Sequence, residues 1–185
     1  MNEIELKARV EDVNAVEEKL GTFASFKRSV VRDDTYYVNS SGKGRKIRFR
    51  LETCDGKETW LVTYKKKENM KSADGISTEV NQEMETAIED PQPVMTFLED
   101  SGYVVSLKKH KEVRDWVFED ATLELCNVPP LGWFLEIEIL AQDNSPDTIS
   151  KAQKKLRELL IRSGLTEKDI EEKYYSQLLK EYNKK

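Results

Sequence analysis

Charge recurs at every second residue in several separate stretches of this chain, and that period decides most of what it can fold into. Glu3, Glu5 and Lys7 alternate with Ile4 and Leu6, and far downstream Glu136 and Glu138 alternate with Leu135, Ile137 and Ile139. Residues two apart in a β-strand point to one side of the sheet, so each stretch stacks its charges on one face and its aliphatics on the other. Lys46, Arg48 and Arg50 alternate likewise with Ile47, Phe49 and Leu51. Thr63, Lys65 and Lys67 follow on one face of the next strand, and Lys109 and Lys111 share a face later on.

An antiparallel strand with one face on the core ordinarily shows its charge to water. Here acidic strands and basic strands are segregated, and like charges side by side destabilise a sheet unless a counter-charge or ligand sits among them. Carboxylates grouped for a hard divalent cation, facing Arg and Lys grouped for phosphate oxygens, are both satisfied by one metal-bound polyphosphate. The pattern therefore predicts a charged cavity that takes a triphosphate with magnesium or manganese.

Between the strands lie helices whose apolar faces need cover. The first strand, over residues 2–10, leads into a helix near 12–20, with Asp12 as cap and Val13, Val16 and Leu20 as its stripe. Strands follow near 23–32, 34–40, 45–53, 58–67 and 77–86. Asp90 and Pro91 open a helix in which Val94, Phe97 and Leu98 share a face and Gly102 supplies the stop. Further strands occupy 103–119, 121–127 and 133–141. Ser145 and Pro146 start a longer helix with Ile149, Ala152, Leu156, Leu159 and Leu160 on one side, ended by Gly164. Thr166 caps another helix, and a last one runs from Tyr175 to Tyr182. The aliphatic strand faces are the surface available to these helices, so the charged faces turn inward. The polar segment from Glu68 to Gly75 reads as a mobile loop at the mouth of the cavity.

The short motifs occur in an order that resembles the CYTH superfamily, the triphosphate tunnel metalloenzymes that include class IV adenylyl cyclases and thiamine triphosphatases. Glu3-Ile4-Glu5-Leu6-Lys7 resembles its E-x-E-x-K signature, Asp34-Thr35-Tyr36-Tyr37 its D-x-Y-Y segment and Arg48-Phe49-Arg50 its R-x-R strand. Thr63-Tyr64-Lys65 is similar to the T-x-K strand and Glu83-Met84-Glu85 to the central E-x-E. Residues 131–138 are similar to L-G-x-F-x-E-x-E. Tyr174 to Leu179 resembles the C-terminal S-Y-x-x-L-L helix of the cyclase-like branch. The resemblance spans nearly the whole chain and implies an α+β fold: a closed eight-stranded antiparallel β-barrel, the triphosphate tunnel, with helices packed outside, in one domain over residues 1–185.

It also implies roles. Glu3, Glu5, Glu83, Glu85, Glu136 and Glu138 would face Mg2+ or Mn2+; Lys7, Arg48, Arg50, Lys65, Lys109 and Lys111 would hold the triphosphate, with Lys7 and Glu138 closest to the chemistry. The first expectation is a class IV adenylyl cyclase-like enzyme converting ATP to cyclic AMP and pyrophosphate. The second is a tripolyphosphatase or organic triphosphatase, and the third a noncatalytic triphosphate or polyphosphate sensor. Cys126 stands where the family pattern has an aspartate, which favours the third; Glu124, two residues earlier on the same face, could compensate. Lys111 replaces the arginine of the family's K-x-R, keeping the charge without the bidentate fork. Trp133 is the best candidate to touch a nucleobase, while Trp60 and Trp116 read as packing aromatics.

Composition excludes other classes. A net charge of -5 and a pI near 5.2 are wrong for a general nucleic-acid binder. No apolar stretch approaches bilayer length and no charged leader precedes an apolar segment, so no membrane partner is expected and the location reads as cytoplasmic. Two cysteines, Cys54 and Cys126, make neither a zinc motif nor a disulfide framework. The single histidine, His110, has no nucleophile motif beside it and reads as a polar strand residue. Exposed aliphatics on the barrel wall leave a homodimer open.

Overall fold

Every stretch of alternating charge forms a strand. The computed structural model describes residues 2–41, 46–71, 77–141, 143 and 145–184, with side chains described for 3–41, 46–64, 84–141, 143 and 145–184. Eight strands, β1 (Asn2–Val10), β2 (Ser25–Asn39), β3 (Ile47–Cys54), β4 (Lys57–Lys71), β5 (Ser77–Ile88), β6 (Tyr103–Phe118), β7 (Ala121–Val128) and β8 (Gly132–Ala141), are all paired antiparallel. They close in the order β1-β5-β4-β3-β2-β6-β7-β8, with β8 returning to β1. Closure removes both exposed sheet edges and leaves an inner and an outer face.

The outer face carries the main core. Ile4, Leu6 and Ala8 of β1, Leu123 and Leu125 of β7, and Leu135 and Ile137 of β8 are buried under α1 (Val13–Gly21) and α3 (Pro146–Arg162). Val16 and Leu20 project from α1; Ile149, Ala152, Leu156, Leu159 and Leu160 project from α3, on the stripe that their spacing predicts. Each such aliphatic side chain contributes about 1.5–3 kcal/mol of burial. Asp12 accepts a hydrogen bond from the Ala15 amide at 3.0 Å, and Ser145 accepts one from Thr148, so both helices start at their expected caps. Gly102 and Gly164, with φ of 82° and 83°, take the left-handed turn that ends α2 (Gln92–Asp100) and α3.

Four expectations change. The segments 23–32 and 34–40 are one strand, because Asp34 turns inward to meet Arg50 and Lys109 and the pairing with β6 runs from Ser25 to Asn39 through two bulges. Helix α2 (Gln92–Asp100) buries Leu98 with Met95 beside it over Tyr37 and Phe49, and exposes Val94 and Phe97. The helix expected after Thr166 is a three-residue 3-10 turn, Glu167–Asp169, held by bonds from the Thr166 amide and hydroxyl to Asp169. It stops there because Ile170 is extended and bridges Ala8. Of the segment expected to be a mobile loop, Glu68 to Lys71 continue β4 against Ser77 to Val80 of β5, and 72–76 lie outside the described residues.

One asymmetry of the barrel places the site. β1 pairs with β8 along its whole length, but with β5 only from Asn2 to Glu5. Past Glu5 the same edge of β1 is taken by the chain after the 3-10 turn: the Glu171 amide donates to the Lys7 carbonyl at 2.8 Å, and Arg9 pairs with Glu171 at 2.7 Å. This seam leads into α4 (Tyr175–Tyr182), whose Tyr175 and Leu178 pack on the inward-facing Phe134, Cys126 and Val128.

Candidate active site

Among the described residues the inner face collects charge from β1, β2, β3, β6, β7 and β8, and from Glu85 of β5. Lys7 lies opposite Glu136, Glu5 opposite Glu138, and Glu124 between Glu136 and Asp115. On the other side of the barrel Asp34 lies between Arg50 and Lys109, and Tyr36 between Arg48 and Leu107. Lys7 is 7 % exposed and Lys111 3 %, values that exclude an ordinary solvated sheet face.

Ion pairs join these groups across the interior. Lys111 donates to Glu136 at 2.6 Å and lies 3.6 Å from Glu124. Glu124 accepts from Arg32 through both oxygens, Arg32 donates to Glu52, and Arg28 bridges Glu52 and Asp115. Asp34 receives Arg50 at 2.7 Å and Lys109 at 3.1 Å, while Glu85 receives Thr63 and Arg48. Burial would raise the carboxyl pKa values, but Arg32 and Lys111 hold Glu124 down to about 2. Lys111 and Lys109 hold Glu136 well below its usual range, and Lys109 and Arg50 do the same for Asp34. Burial also disfavours the Lys111 ammonium, yet Cys126, Glu136 and Glu124 around it raise its pKa. Burial pushes the Cys126 thiol itself upward, so at neutral pH the two carboxylates keep Lys111 charged. Asp115 is raised by burial and by Glu124, and its Oδ1 has no hydrogen-bond partner. The Tyr36 phenol, which burial alone would raise, is lowered by Lys109.

Such an interior, with cations and carboxylates interleaved inside a closed barrel, has a counterpart among known proteins. The CYTH-domain family profile matches residues 1–175. The chain belongs to the CYTH family.

Among relatives of this CYTH protein is one from Methanocaldococcus jannaschii named "Putative adenylate cyclase MJ0240", 28% identical over 182 residues, spanning 96% of this chain and 98% of the relative. Two solved structures from Pyrococcus horikoshii OT3 share the fold. The PH1819 protein has a TM-score of 0.80 at 27% identity, covering 97% of this chain and 99% of that one. The PH1012 protein has a TM-score of 0.74 at 25% identity, covering 95% and 98%. CYTH tunnel enzymes act on small triphosphates with divalent metals.

The donors of this CYTH barrel fit such a metal at one place better than at another. Glu5 and Glu138 stand opposite each other on adjacent strands, with Glu3 two residues away on the same face, an all-oxygen set suited to Mg2+ or Mn2+. Ligand atoms of Glu124, Cys126 and Glu136 also lie within 4.8 Å of one another. There the Lys111 ammonium already supplies the cation, and a thiol suits a hard metal poorly. Glu136, expected among the metal carboxylates, accepts a hydrogen bond from Lys111 at 2.6 Å. Glu124, the residue that could compensate for the missing aspartate, is engaged by Arg32 and Lys111.

Arg48, Arg50, Lys7, Lys109 and Lys111 are brought together as expected. The backbone register sets Lys65 opposite Glu83, whose side chains both lie outside the described residues. Trp133 is not in the tunnel: it packs on the outer core with Arg114 over its ring at 5.2 Å, and Trp60 and Trp116 also face outward. His110 faces outward to Asp33, as a polar strand residue. Sequence reasoning missed Arg28, Arg32, Glu52, Asp115 and Tyr175. Arg32 and Glu52 carry the signal that would have found them, since they continue the alternation of Asp34 and of Arg48 and Arg50 by one step.

Proposed function

We propose that this protein binds a triphosphate inside its barrel and processes it with a divalent metal, the substrate being ATP and the reaction cyclisation to cyclic AMP and pyrophosphate. The observation that carries the triphosphate reading is the convergence of Lys7, Arg48, Arg50, Lys109 and Lys111 on one enclosed interior, opposite Glu3, Glu5 and Glu138. Five fixed cations gathered in one interior match the several negative oxygens of a phosphate chain. Cyclisation is supported by the name of the full-length Methanocaldococcus relative and by the helix resembling the cyclase-like branch.

The chain's own residues bind and orient. Arg48 and Arg50, steadied by Glu85 and Asp34, aim their guanidinium groups inward, and Lys7, Lys109 and Lys111 neutralise charge that builds on phosphate oxygens in the transition state. A metal held by Glu3, Glu5 and Glu138 supplies Lewis acidity and alignment of the reacting groups. Enclosure by the barrel strengthens each of these contacts by lowering the local dielectric.

Hydrolysis of an inorganic or organic triphosphate is the second reading. It is favoured by the outward orientation of all three tryptophans, which leaves no indole in the interior to stack a base. Product analysis decides: purified protein is incubated with ATP and separately with tripolyphosphate, in magnesium and in manganese. Cyclic AMP with pyrophosphate establishes cyclisation, and orthophosphate establishes hydrolysis. Saturable binding with no product establishes a sensor.

A further inference from the structure

Tyr175 occupies the middle of the cationic cluster. Its ring is approached by the ammonium groups of Lys7 at 4.5 Å, Lys109 at 5.0 Å and Lys111 at 5.6 Å. The ring stands edge-on to Phe134, with centroids 5.1 Å apart and planes at 89°. These three lysines come from β1 and β6, strands that are not neighbours, so the ring is a common contact for cations that would otherwise repel one another. Lys7 is tied to the same segment a second time, donating to the Lys173 carbonyl at 2.6 Å.

The hydroxyl is different from the ring. It is shut off from solvent and, although close to Glu136, makes no hydrogen bond of acceptable geometry. Glu136 is already occupied by Lys111. A buried hydroxyl without a partner costs stability, and a fold retains one where something else satisfies it.

We propose that Tyr175 is a substrate-binding residue: its hydroxyl donates a hydrogen bond to a phosphate oxygen of the triphosphate, while its ring gathers Lys7, Lys109 and Lys111 at that position before the ligand arrives. The inference rests on the triphosphate reading given above. Nothing covalent is required of the phenol, which stays protonated and acts as a donor. Gathering the lysines beforehand reduces the side-chain ordering that ligand binding must otherwise impose. Ring and hydroxyl thereby act at different stages, the first in the empty barrel and the second in the filled one.

Tyr175→Phe separates these roles, because it keeps the ring and removes only the hydroxyl. Titration calorimetry with inorganic tripolyphosphate in EDTA reads affinity without turnover, and a thermal melt of the ligand-free protein reads stability. The expected result is a Kd raised roughly tenfold or more, as for a hydrogen bond to a charged group, with a melting temperature unchanged or higher. Tyr175→Leu, which loses the ring too, weakens binding further. An unchanged Kd in Tyr175→Phe overturns the role of the hydroxyl while leaving the triphosphate reading in place. A lowered melting temperature of the ligand-free variant also overturns it, since the hydroxyl would then have a structural partner. Failure of the unsubstituted protein to bind tripolyphosphate at all overturns the triphosphate reading, and this inference with it.

Discussion

Lys111 and Glu136 are joined at 2.6 Å although their strands, β6 and β8, are separated by β7. The pair therefore spans the inner face of β7 instead of joining neighbouring strands. Lys111 is buried and Glu136 largely so, and Glu124 shares the same ammonium. Removing one member strands the others in a poorly solvating interior. Lys111→Met is expected to lower unfolding free energy by about 3–5 kcal/mol in urea titrations. Lys111→Met combined with Glu136→Met is expected to cost less than the sum of the two single changes, a coupling that a double-mutant cycle measures.

Glu138 offers a cleaner separation of fold from chemistry. It sits opposite Glu5 on the inner face, where the oxygen set suits a divalent cation. Glu138→Gln keeps the shape and removes the charge. Metal-dependent turnover should fall by about a hundredfold or more, while the circular dichroism spectrum and melting temperature stay the same. Undiminished turnover sinks the assignment.

The inner carboxylates also set the response to acid. Glu124, Glu136 and Asp34 have folded-state pKa values below their ordinary ones, because burial is overcome by Arg32, Lys111, Lys109 and Arg50. A depressed carboxyl pKa stabilises the folded state above the unfolded value and loses that contribution as pH falls through the folded value. For Glu124 the window runs from 4.5 down to about 2. Asp115, raised instead, works in the opposite direction and favours the folded state as it takes up its proton. With Glu52, which Arg32 and Arg28 also hold below its ordinary value, four depressed groups against one raised group predict urea midpoints that fall steadily below about pH 4.5, measured from pH 7 to pH 2.

Cysteine chemistry supplies a test of barrel closure. Cys126 is fully buried among Val113, Val128 and Phe134, and burial holds its thiol well above the usual range. Cys54 is only half-buried. A thiol reagent at pH 8 should label Cys54 alone in the native protein and both in denaturant. Rapid labelling of Cys126 in the native state contradicts the packing of α4 on the inner wall.

How much of this could be read from residues alone depended on the regularity of the local pattern. β1 and β8 alternate without interruption, so both their extents and the inward direction of Glu3, Glu5, Lys7, Glu136 and Glu138 were legible. β2 was split in two because Val30 and Val31 are adjacent aliphatics and Asp33 and Asp34 adjacent acids, which hides the alternation. Arg32 was lost with it, although Arg32 shares the parity of Asp34. Trp133 shares the parity of Leu135 and Ile137 and was readable as outward-facing; its place beside Gly132 drew attention instead. The exposure of Val94 and Phe97 was not readable, because the docking of α2 over Tyr37 and Phe49, and not the helix's own stripe, chooses the buried side. Tyr175 was named only as part of a helix motif, since nothing local tells a tyrosine that three distant lysines will meet its ring.

The seam along β1 has a further meaning for biosynthesis. Arg9 and Glu171, which help seal it, are 162 residues apart in the chain. An emerging polypeptide can form the β2–β3 and β3–β4 hairpins early, but the first strand must wait, half its edge bare, until nearly everything after it has been translated. Its aliphatic side, Ile4, Leu6 and Ala8, is meanwhile uncovered, because α3 is also made late. For a protein of this topology the first-made strand is the one longest dependent on chaperone protection, and slowing translation after α2 should increase aggregation of nascent chains more than slowing it before.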